Sequence, residues 1–427
     1  MRLDPYWWDD APLPEPTRDP VAPDCDVAIV GAGYTGLSAA RILAARGLSV
    51  QIFDKQRAGE GASSRNGGIL SGTLRLGLGA VMHRFGYERG VALYREGVAA
   101  RDYLAMTIRD EGIDCDYRMT GRFTGALNTA DFEAMKREAD LLNEHVRIPA
   151  TVVEKPDLPG ETGSTAYSGG MVRPDIGTFH PAKFHRGLLG IVRAAGGVVH
   201  GGTAVAGVAR EGERFIVSTA RGTVRAHHVV RATNGYTDTS DRWLRRRLVP
   251  VASRMIATEE LPADLMARLL PKGRAMGESR HLYRYFRPSP DGRRILLGSR
   301  EPPLTRDPRK AAEHVRRGLV EIYPELSEVG ITHSWNGFVA FGRQQMPQIF
   351  ERDGVHYACG YCGSGTVWAH WLGTKVAMRI LGKSEGRSRL DTGLPGAIPL
   401  YEGRPWFLPA AIAWYGVKDR RKLRQPR

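Results

Sequence analysis

The first part of the chain alternates between short apolar runs and an amphipathic segment. Residues 27–30 (VAIV) and 49–53 (SVQIF) are runs of strand length, and apolar residues at helical spacing lie between them, namely Leu37, Ala40, Leu43 and Ala44. Apolar runs of this length are typical of strands that are buried on both faces of a parallel sheet. The pattern therefore predicts a strand, a helix that Gly47 ends, and a second strand, which together form a β-α-β unit.

A glycine-rich turn joins the first strand to the helix. Gly31, Gly33 and Gly36 have the spacing G-x-G-x-x-G, and the second strand ends at Asp54. In such a turn the first glycine makes the bend, the second lets the backbone approach a pyrophosphate, and the third lets helix and strand pack closely. Free N–H groups at the helix N-terminus bind phosphate, and the acid accepts hydrogen bonds from ribose hydroxyls. We predict a site for NAD or FAD that includes Gly31, Gly33, Tyr34, Thr35, Gly36, Asp54 and Lys55.

A second loop of small residues follows this unit. Residues 59–68 (GEGASSRNGG) are mostly Gly, Ala, Ser and Asn around one arginine. Such a loop exposes backbone amides and passes close beneath a flat ligand, although the composition alone also fits a flexible surface loop. We predict cofactor contacts at Ala62, Ser63, Arg65, Asn66, Gly67 and Gly68.

Further segments carry a resemblance to a known family. They are YWWDDAP (6–12), the glycine turn, GASSRNGG (61–68), HHVVRATNGYT (227–237), LYRYFRPSPDGRRILLGSR (282–300) and GYCGSGTVWAHWLGTKVA (360–377). In this order they resemble the D-amino-acid-oxidase-like family of FAD-dependent oxidoreductases, and within it the branch of γ-glutamylputrescine oxidase and related amine oxidases. The resemblance covers most of the chain and implies that the cofactor is FAD. It adds cofactor contacts at Val205, Asn234 and Gly235, where later segments return to the first domain.

The fold that the resemblance implies is an α/β, or α+β, composite. A Rossmann-type FAD-binding domain with a central parallel sheet is interleaved with a substrate domain built on an antiparallel sheet. We expect the FAD-binding domain to comprise residues 24–85, 150–240 and 330–385, and the substrate domain to comprise residues 86–149 and 241–329. Residues 1–23 then form an N-terminal arm, and residues 386–427 form a basic C-terminal tail.

Two of the four cysteines, Cys359 and Cys362, have a C-x-x-C spacing within a glycine loop. The spacing alone admits a redox pair, half of a zinc site or simple packing. In the relatives this loop starts a helix aimed at the flavin pyrimidine ring, where free amides stabilise negative charge on the reduced flavin. The resemblance therefore implies cofactor contacts at Ser364, Gly365, Thr366 and Val367. The cysteines are expected to pack within the loop, and no metal site is expected.

Departures from sarcosine-oxidase-like relatives bear on the cofactor and the substrate. Those relatives bond a cysteine to the flavin at a position that Gly337 fills here, so we predict non-covalent FAD. They hold a substrate carboxylate with an arginine and a lysine, where this chain has Gly72 and Val367. A small α-amino acid held in that way is therefore disfavoured, and an amine with a more distant carboxylate, or with none, fits better.

The implied reaction is oxidation of an amine or amino acid by hydride transfer to flavin N5, which yields an imine that hydrolyses. Oxygen, with formation of H2O2, or another acceptor then reoxidises the flavin. Leu296 replaces the relatives' oxygen-activating lysine, with Arg293 and Arg294 nearby, so oxidase and dehydrogenase both remain open. Tyr283 and Tyr285 share one face of a strand. We assign Tyr283 to the wall of the amine pocket and Arg300 to a distal carboxylate, and these two are the candidate catalytic residues.

The net charge of +15 reflects 61 Lys and Arg against 46 Asp and Glu. Such a protein can favour nucleic acid, anionic lipid or acidic substrates, but the arginines are scattered and no nucleic-acid-binding motif accompanies them. We therefore expect no nucleic-acid partner. Four cysteines and the lack of a signal-peptide pattern favour a cytoplasmic location.

The C-terminal tail combines an apolar run, Trp406 to Val417, with a basic end. The run is shorter than the ~20 residues that span a bilayer. We expect it to pack on the FAD-binding domain, and weak contact with an anionic membrane is the alternative. This tail keeps open a second function, an amino-acid dehydrogenase that reduces a membrane quinone. A third alternative is a flavoprotein that acts on a nucleic-acid partner.

Overall fold

The computed structural model describes residues 1–17, 19–302 and 304–426. Arg18, Pro303 and Arg427, which fall in the predicted arm, substrate domain and tail, lie outside the described residues. The strands are β1 (Asp24–Val30), β2 (Val50–Phe53), β3 (Ile69–Leu70), β4 (Arg122–Gly125), β5 (Thr151–Val153), β6 (Gly170–Arg173), β7 (Gly177–Thr178), β8 (Val198–His200), β9 (Val205–Glu211), β10 (Arg214–Thr219), β11 (Gly222–Arg231), β12 (Leu248–Thr258), β13 (Ala275–Glu278), β14 (Tyr285–Pro288), β15 (Ile295–Arg300), β16 (Ile331–Gly342), β17 (Gln348–Arg352) and β18 (Val355–Cys359). The helices are α1 (Trp7–Asp10), α2 (Tyr34–Ala45), α3 (Leu78–Phe85), α4 (Tyr87–Asp110), α5 (Thr129–Leu141), α6 (Pro181–Ala194), α7 (Arg242–Arg245), α8 (Ala263–Leu269), α9 (Pro308–Ile322), α10 (Gly365–Ile380) and α11 (Leu408–Leu423).

The predicted β-α-β unit lies at the centre of the first sheet. The strand order is β17-β18-β11-β1-β2-β8, and the hairpin β9-β10 is attached to β11. β1 pairs in parallel with β2 and with β11, and the pairs β2-β8 and β11-β18 are also parallel. Helices α2 and α10 pack against this sheet, and the apolar half of β1, residues 27–30, is buried beneath them and the hairpin side of the core.

The second sheet is mostly antiparallel. Its order is β16-β12-β15-β14-β13-β4-β6-β5, and its longest pairing joins β12 to β16 from Leu248 opposite Gly342 onwards. The pair β13-β4 is parallel, whereas the other neighbours in this sheet are antiparallel. The predicted fold class is therefore confirmed: a parallel dinucleotide-type sheet is interleaved along the chain with an antiparallel one.

The division of the strands between the two sheets differs from the predicted boundaries of the FAD-binding and substrate domains. β5 and β6 fall within the predicted FAD segment 150–240, and β16 falls within 330–385, yet all three belong to the second sheet. Conversely, α4 lies in the predicted substrate segment 86–149, but its buried Leu93 and Leu104 join the core of the first sheet. A strand pattern shows which face is buried, but it does not show which sheet edge the strand extends.

The C-terminal tail was expected to pack on the FAD-binding domain, but its helix α11 lies against the second sheet. The Asp419 carboxylate accepts hydrogen bonds from the backbone N–H groups of His281 and Leu282, at 2.8 and 3.0 Å. The Lys422 ammonium pairs with Asp131 at 2.9 Å. The sequence of the tail does not indicate which surface the helix packs on. The contacts of Asp419 and Lys422 fix α11 in this place. Among the described residues, no helix is long and apolar enough to cross a membrane.

Buried histidines make the stability of the fold depend on pH. Burial lowers the pKa of His185 to about 4 and that of His370 to about 3. His370 is held as a neutral ring between the hydroxyls of Ser38, at 2.7 Å, and Thr107, at 3.1 Å. Both rings are therefore neutral in the folded state, whereas in the unfolded chain they take up a proton near pH 6.5.

The free energy of unfolding is expected to fall as the pH drops from about 6.5 to 4, because the unfolded state then binds more protons. Each histidine contributes at most about 1.4 kcal/mol per pH unit to this slope of the free energy of unfolding. Thermal unfolding at pH 7, 6 and 5 measures this slope. His370→Gln should make the slope shallower, and His83→Gln, an exposed site, serves as the control. An equal slope in wild type and His370→Gln would contradict the assignment.

Candidate functional site

A first cavity opens at the carboxyl ends of β1, β2 and β11, where Val30, Phe53 and Ala232 line it. Gly31 turns the chain with φ +109°, and its N–H donates to the Phe53 carbonyl at 2.8 Å. A Cβ on Gly36 would lie 2.0 Å from the Gly31 carbonyl oxygen, so this position admits no side chain. The turn and the close approach are those that the fingerprint predicts.

The N-terminus of α2 faces this cavity. Gly33 is the N-cap residue and provides no capping side chain. A Cβ on Gly33 would lie 2.8 Å from Ser63 Oγ, and this hydroxyl accepts from the Tyr34 N–H at 2.9 Å. The loop 59–68 thus meets the helix end directly, and the positive end of the helix dipole points to the space that a phosphate fills.

Asp54 lies at the end of β2 as predicted. Its carboxylate accepts from the N–H groups of Ala32, at 2.8 Å, and Gln56, at 2.9 Å. Burial raises the pKa of Asp54, and these two donors oppose the shift. Each oxygen keeps a free lone pair, so the carboxylate remains able to accept from ribose hydroxyls.

The loop 59–68 is rigidly held rather than flexible. The Asn66 side chain donates to the Ser63 carbonyl and accepts from the Gly68 N–H, both at 2.9 Å. The indole of Trp7, from the N-terminal arm, donates to the Asn66 carbonyl at 2.9 Å, and that of Trp335 donates to the Arg65 carbonyl at 2.8 Å. The arm is therefore part of the site's support, a role that the sequence does not reveal because the contacts are long-range.

Cys362 lies at the turn between β18 and α10. It has φ +52°, and Gly363, which follows, has φ +109°. All four cysteines are free thiols. Burial raises the pKa of the Cys362 thiol to about 12 and also raises that of Cys359, so both stay protonated at neutral pH. This agrees with packing rather than redox chemistry. No cluster of potential metal ligands occurs among the described residues.

The helix α10 begins at Gly365, and its N-cap residue Ser364 makes no side-chain capping bond. The Ser364 N–H already donates to the Tyr361 carbonyl at 3.1 Å. The amides of Gly365, Thr366 and Val367 therefore remain the candidates for a cofactor contact, and the Ser364 amide does not.

A second cavity adjoins the first on the side of the second sheet. Tyr283 and Tyr285 form one wall, with ring centroids 6.0 Å apart and planes 17° apart. Arg284 points away to Glu321, at 2.8 Å. The two tyrosines and the arginine therefore face opposite ways as predicted, but Tyr283 and Arg284 precede the strand β14, which begins only at Tyr285. Arg300 also lines this cavity, together with Arg75 and Arg122, two residues that sequence reasoning missed.

The two cavities join each other. They share the lining residues Ala62, Asn66, Phe338, Val339, Cys362, Gly363 and Thr366. The connection places the second cavity against one end of any dinucleotide that fills the first.

The structure distributes the predicted cofactor residues as follows. The first cavity is lined by Gly31, Gly33, Tyr34, Thr35, Asp54, Lys55, Ala62, Ser63, Asn66, Val205, Asn234, Gly365 and Thr366. Arg65, Gly67 and Ser364 line the second cavity. Gly36, Gly68, Gly235 and Val367 line neither cavity. Sequence reasoning missed Tyr236 and Tyr361, among others, because no motif marks them.

Two positions at which the chain departs from those relatives, Gly72 and Leu296, have clear structural reasons. A Cβ on Gly72 would lie 1.9 Å from the Gly97 carbonyl oxygen, so no arginine fits there. Leu296 is fully buried in an apolar cluster beside Trp7 and Trp335. Arg293 and Arg294 pair with Glu260 and do not line the second cavity. Gly337 does line the second cavity.

The fold and the joined cavities define a dinucleotide-dependent oxidoreductase of the composite α/β class. The glycine cradle, the N-terminus of α2 and the carboxylate of Asp54 fit the phosphates and ribose of FAD. A profile of the family described as FAD dependent oxidoreductase matches residues 26–379. The chain belongs to this family, which confirms FAD as the cofactor and the resemblance noted from the sequence.

Curated relatives and solved structures agree with this assignment. The chain is 31% identical over 424 residues to the "Probable oxidoreductase OrdL" of Rhizobium meliloti (strain 1021), with 97% of each chain covered. It is 30% identical over 401 residues to the "Gamma-glutamylputrescine oxidoreductase" of Escherichia coli (strain K12), with 93% of each covered. The crystal structure of glycine oxidase from Geobacillus kaustophilus shares the fold with a TM-score of 0.74, at 21% identity, over 87% of this chain and 100% of that one.

Proposed function

We propose that this protein oxidises the C–N bond of an amine or amino acid, giving an imine that hydrolyses. The connection between the two cavities carries the proposal, because a substrate among Tyr283, Tyr285 and Arg300 lies against the shared residues Ala62, Cys362 and Thr366. When bound, FAD supplies the two-electron acceptor for the hydride that leaves the carbon bearing the nitrogen. The relative named as a gamma-glutamylputrescine oxidoreductase supports an amine as the substrate.

The residues of the second cavity prepare the amine for this reaction. Its lining includes Arg65, Arg75, Arg122, Arg173 and Arg300. Nearby positive charge disfavours a second cation, so it lowers the pKa of a bound ammonium and favours the neutral amine. The stacked pair Tyr283 and Tyr285 excludes water from one side and gives the amine a flat wall. In this proposal Tyr283 contacts the amine, and Arg300 holds a carboxylate distant from it.

The acceptor that reoxidises the flavin is oxygen or another compound.

A specific observation favours a second candidate function, an amino-acid dehydrogenase that passes electrons to a membrane quinone. Leu400, Trp406 and Trp414 are 86%, 64% and 55% exposed on the C-terminal segment. Exposed aromatic residues beside basic side chains are typical of surfaces that lie on anionic membranes. Reoxidation of reduced enzyme by oxygen and by a soluble quinone, followed in a stopped-flow instrument, separates the two functions.

Anaerobic titration of the purified protein with a panel of amines tests the proposal. The panel contains γ-glutamylputrescine, putrescine, N-methyl amino acids, cyclic imino acids and D-amino acids. We expect one class to bleach the visible flavin band. Bleaching by NADPH and by no amine would overturn the proposal and favour a monooxygenase.

Acid precipitation of the same sample checks the attachment, because non-covalent FAD is released into the supernatant.

A further inference from the structure

The second cavity contains an excess of positive charge that the protein itself does not neutralise. None of its described lining residues is an aspartate or a glutamate. Arg173 is paired with Asp175 at 2.7 Å, and Arg65 donates to the backbone carbonyl of Asn336. Two of the arginines are thus committed to protein acceptors, and three others remain.

Arg75, Arg122 and Arg300 form no ion pair with any described carboxylate. Arg122 contacts the Tyr283 hydroxyl through Nη2, but its Nε is buried and has no hydrogen-bond partner. Arg300 makes no side-chain hydrogen bond within the described part of the chain, and its guanidinium lies 5.3 Å from the centre of the Phe341 ring. Arg75 is exposed at the mouth of the cavity. Burial of a guanidinium without a partner is costly, so such groups are expected to be completed by a ligand.

The three guanidinium groups act on one region. Burial lowers the pKa of Arg300, and the positive charge of Arg75 lowers it further. Arg75 and Arg122 both act on Tyr283 as well. Arg122 contacts Tyr283, whereas Arg300 lies beside Phe341, so the two arginines occupy different places on the wall of the cavity that Arg75 also lines. Arginine presents a planar fork of donors that matches a carboxylate.

We propose that the second cavity binds an amine that carries two carboxylates, one at Arg300 and Arg75 and the other at Arg122. This inference rests on the proposed function for the role of the amine, and it names the substrate class. A neutral amine with two carboxylates compensates most of the unpaired charge, whereas a simple diamine adds to it. Two separated arginine sites also fix the molecule at both ends, which orients its C–N bond at the shared residues of the two cavities.

Dicarboxylates that lack an amine test the inference without turnover. The FAD-loaded protein is titrated with malonate, succinate, glutarate and adipate, and with monocarboxylates of equal chain length, while the flavin difference spectrum is recorded. We expect the best dicarboxylate to bind at least tenfold more tightly than its matched monocarboxylate. Equal affinities for the two series would overturn the inference.

Single variants assign the two sites. Arg300→Gln and Arg122→Gln should each weaken binding of the best dicarboxylate by roughly tenfold or more. Each should also reduce the preference for the dicarboxylate over the matched monocarboxylate. Arg300→Lys should restore part of the affinity. Arg293→Gln is the matched control, because Arg293 pairs with Glu260 outside the cavity. If the Arg300 and Arg122 variants keep wild-type affinity with FAD bound, the inference fails.

The readouts separate this inference from the proposed function. Tight dicarboxylate binding in a protein that no amine reduces would support the two carboxylate-binding sites and contradict amine oxidation. Reduction by diamines alone, with no difference between dicarboxylates and monocarboxylates, would support amine oxidation and overturn the inference.

Discussion

Gly36→Ala is expected to abolish FAD binding. The new methyl group would lie 2.0 Å from the Gly31 carbonyl oxygen, within the turn that faces the pyrophosphate site. Backbone cannot yield as a flexible side chain does, so α2 must move away from β1. This movement increases the distance between α2 and β1 and turns the amides at the N-terminus of α2 away from the pyrophosphate site. The ratio of flavin to protein absorbance after purification, and the recovery of that ratio on adding FAD, measure the effect.

Gly190→Ala is the matched control for this variant. Gly190 lies in the helix α6, and a Cβ there would meet no atom within 4 Å. Alanine in such a helical position is expected to raise stability by about 0.5–1 kcal/mol and to leave FAD binding unchanged. A Gly36→Ala protein with full FAD content would show that the close approach of helix and strand is not required.

Asp419→Ala is expected to lower kcat/KM by about tenfold to a hundredfold while FAD stays bound. The carboxylate is buried in α11 and accepts from the N–H groups of His281 and Leu282, which lead directly into Tyr283. Each donor that loses its partner costs about 1–3 kcal/mol, so the segment is expected to shift. About 1.4 kcal/mol corresponds to a factor of ten, so a misplaced Tyr283 accounts for the loss.

Two further variants distinguish positioning from general destabilisation. Asp419→Asn keeps one acceptor oxygen and should restore part of the activity. Arg420→Ala changes the adjacent exposed residue and should behave as wild type. Kinetics at 15 °C, with thermal unfolding of each variant, complete the comparison. A lower unfolding temperature with unchanged kcat and KM would mean that α11 supports the fold and not the site.

The parts of the site that lie within one supersecondary unit were predictable. The turn from Gly31 to Gly36 and the acid Asp54 belong to a single β-α-β unit, so spacing along the chain specifies their geometry. The loop 59–68 was predictable in position, but its rigidity was not, since Trp7 and Trp335 hold it from distant parts of the chain. Likewise, the Ser364 amide is occupied by Tyr361, a local bond that composition does not reveal.

The positively charged side of the second cavity was predicted only at Arg300. Arg122 belongs to β4 and Arg75 to the segment before α3, and neither stands in a motif. Arg122 and Arg300, at the end of β15, line one cavity because β4 and β15 belong to the same sheet, and Arg75 reaches that cavity from its loop. The positions that relatives use for this purpose gave the opposite indication, because Gly72 has no room for a side chain.

The sequence by itself determined the dinucleotide site and its glycine contacts, because these depend on residues that are neighbours along the chain. The choice of FAD and the two sheet types followed from the resemblance of segments spread over most of the chain. Only the tertiary structure decided which strands join which sheet, where the C-terminal helix packs, and which arginines share one cavity. The periodicity of a segment indicates that one face is buried, but it does not indicate which element covers that face. A charge is known to be uncompensated only when the positions of all its possible partners are known, and these positions come from the tertiary structure.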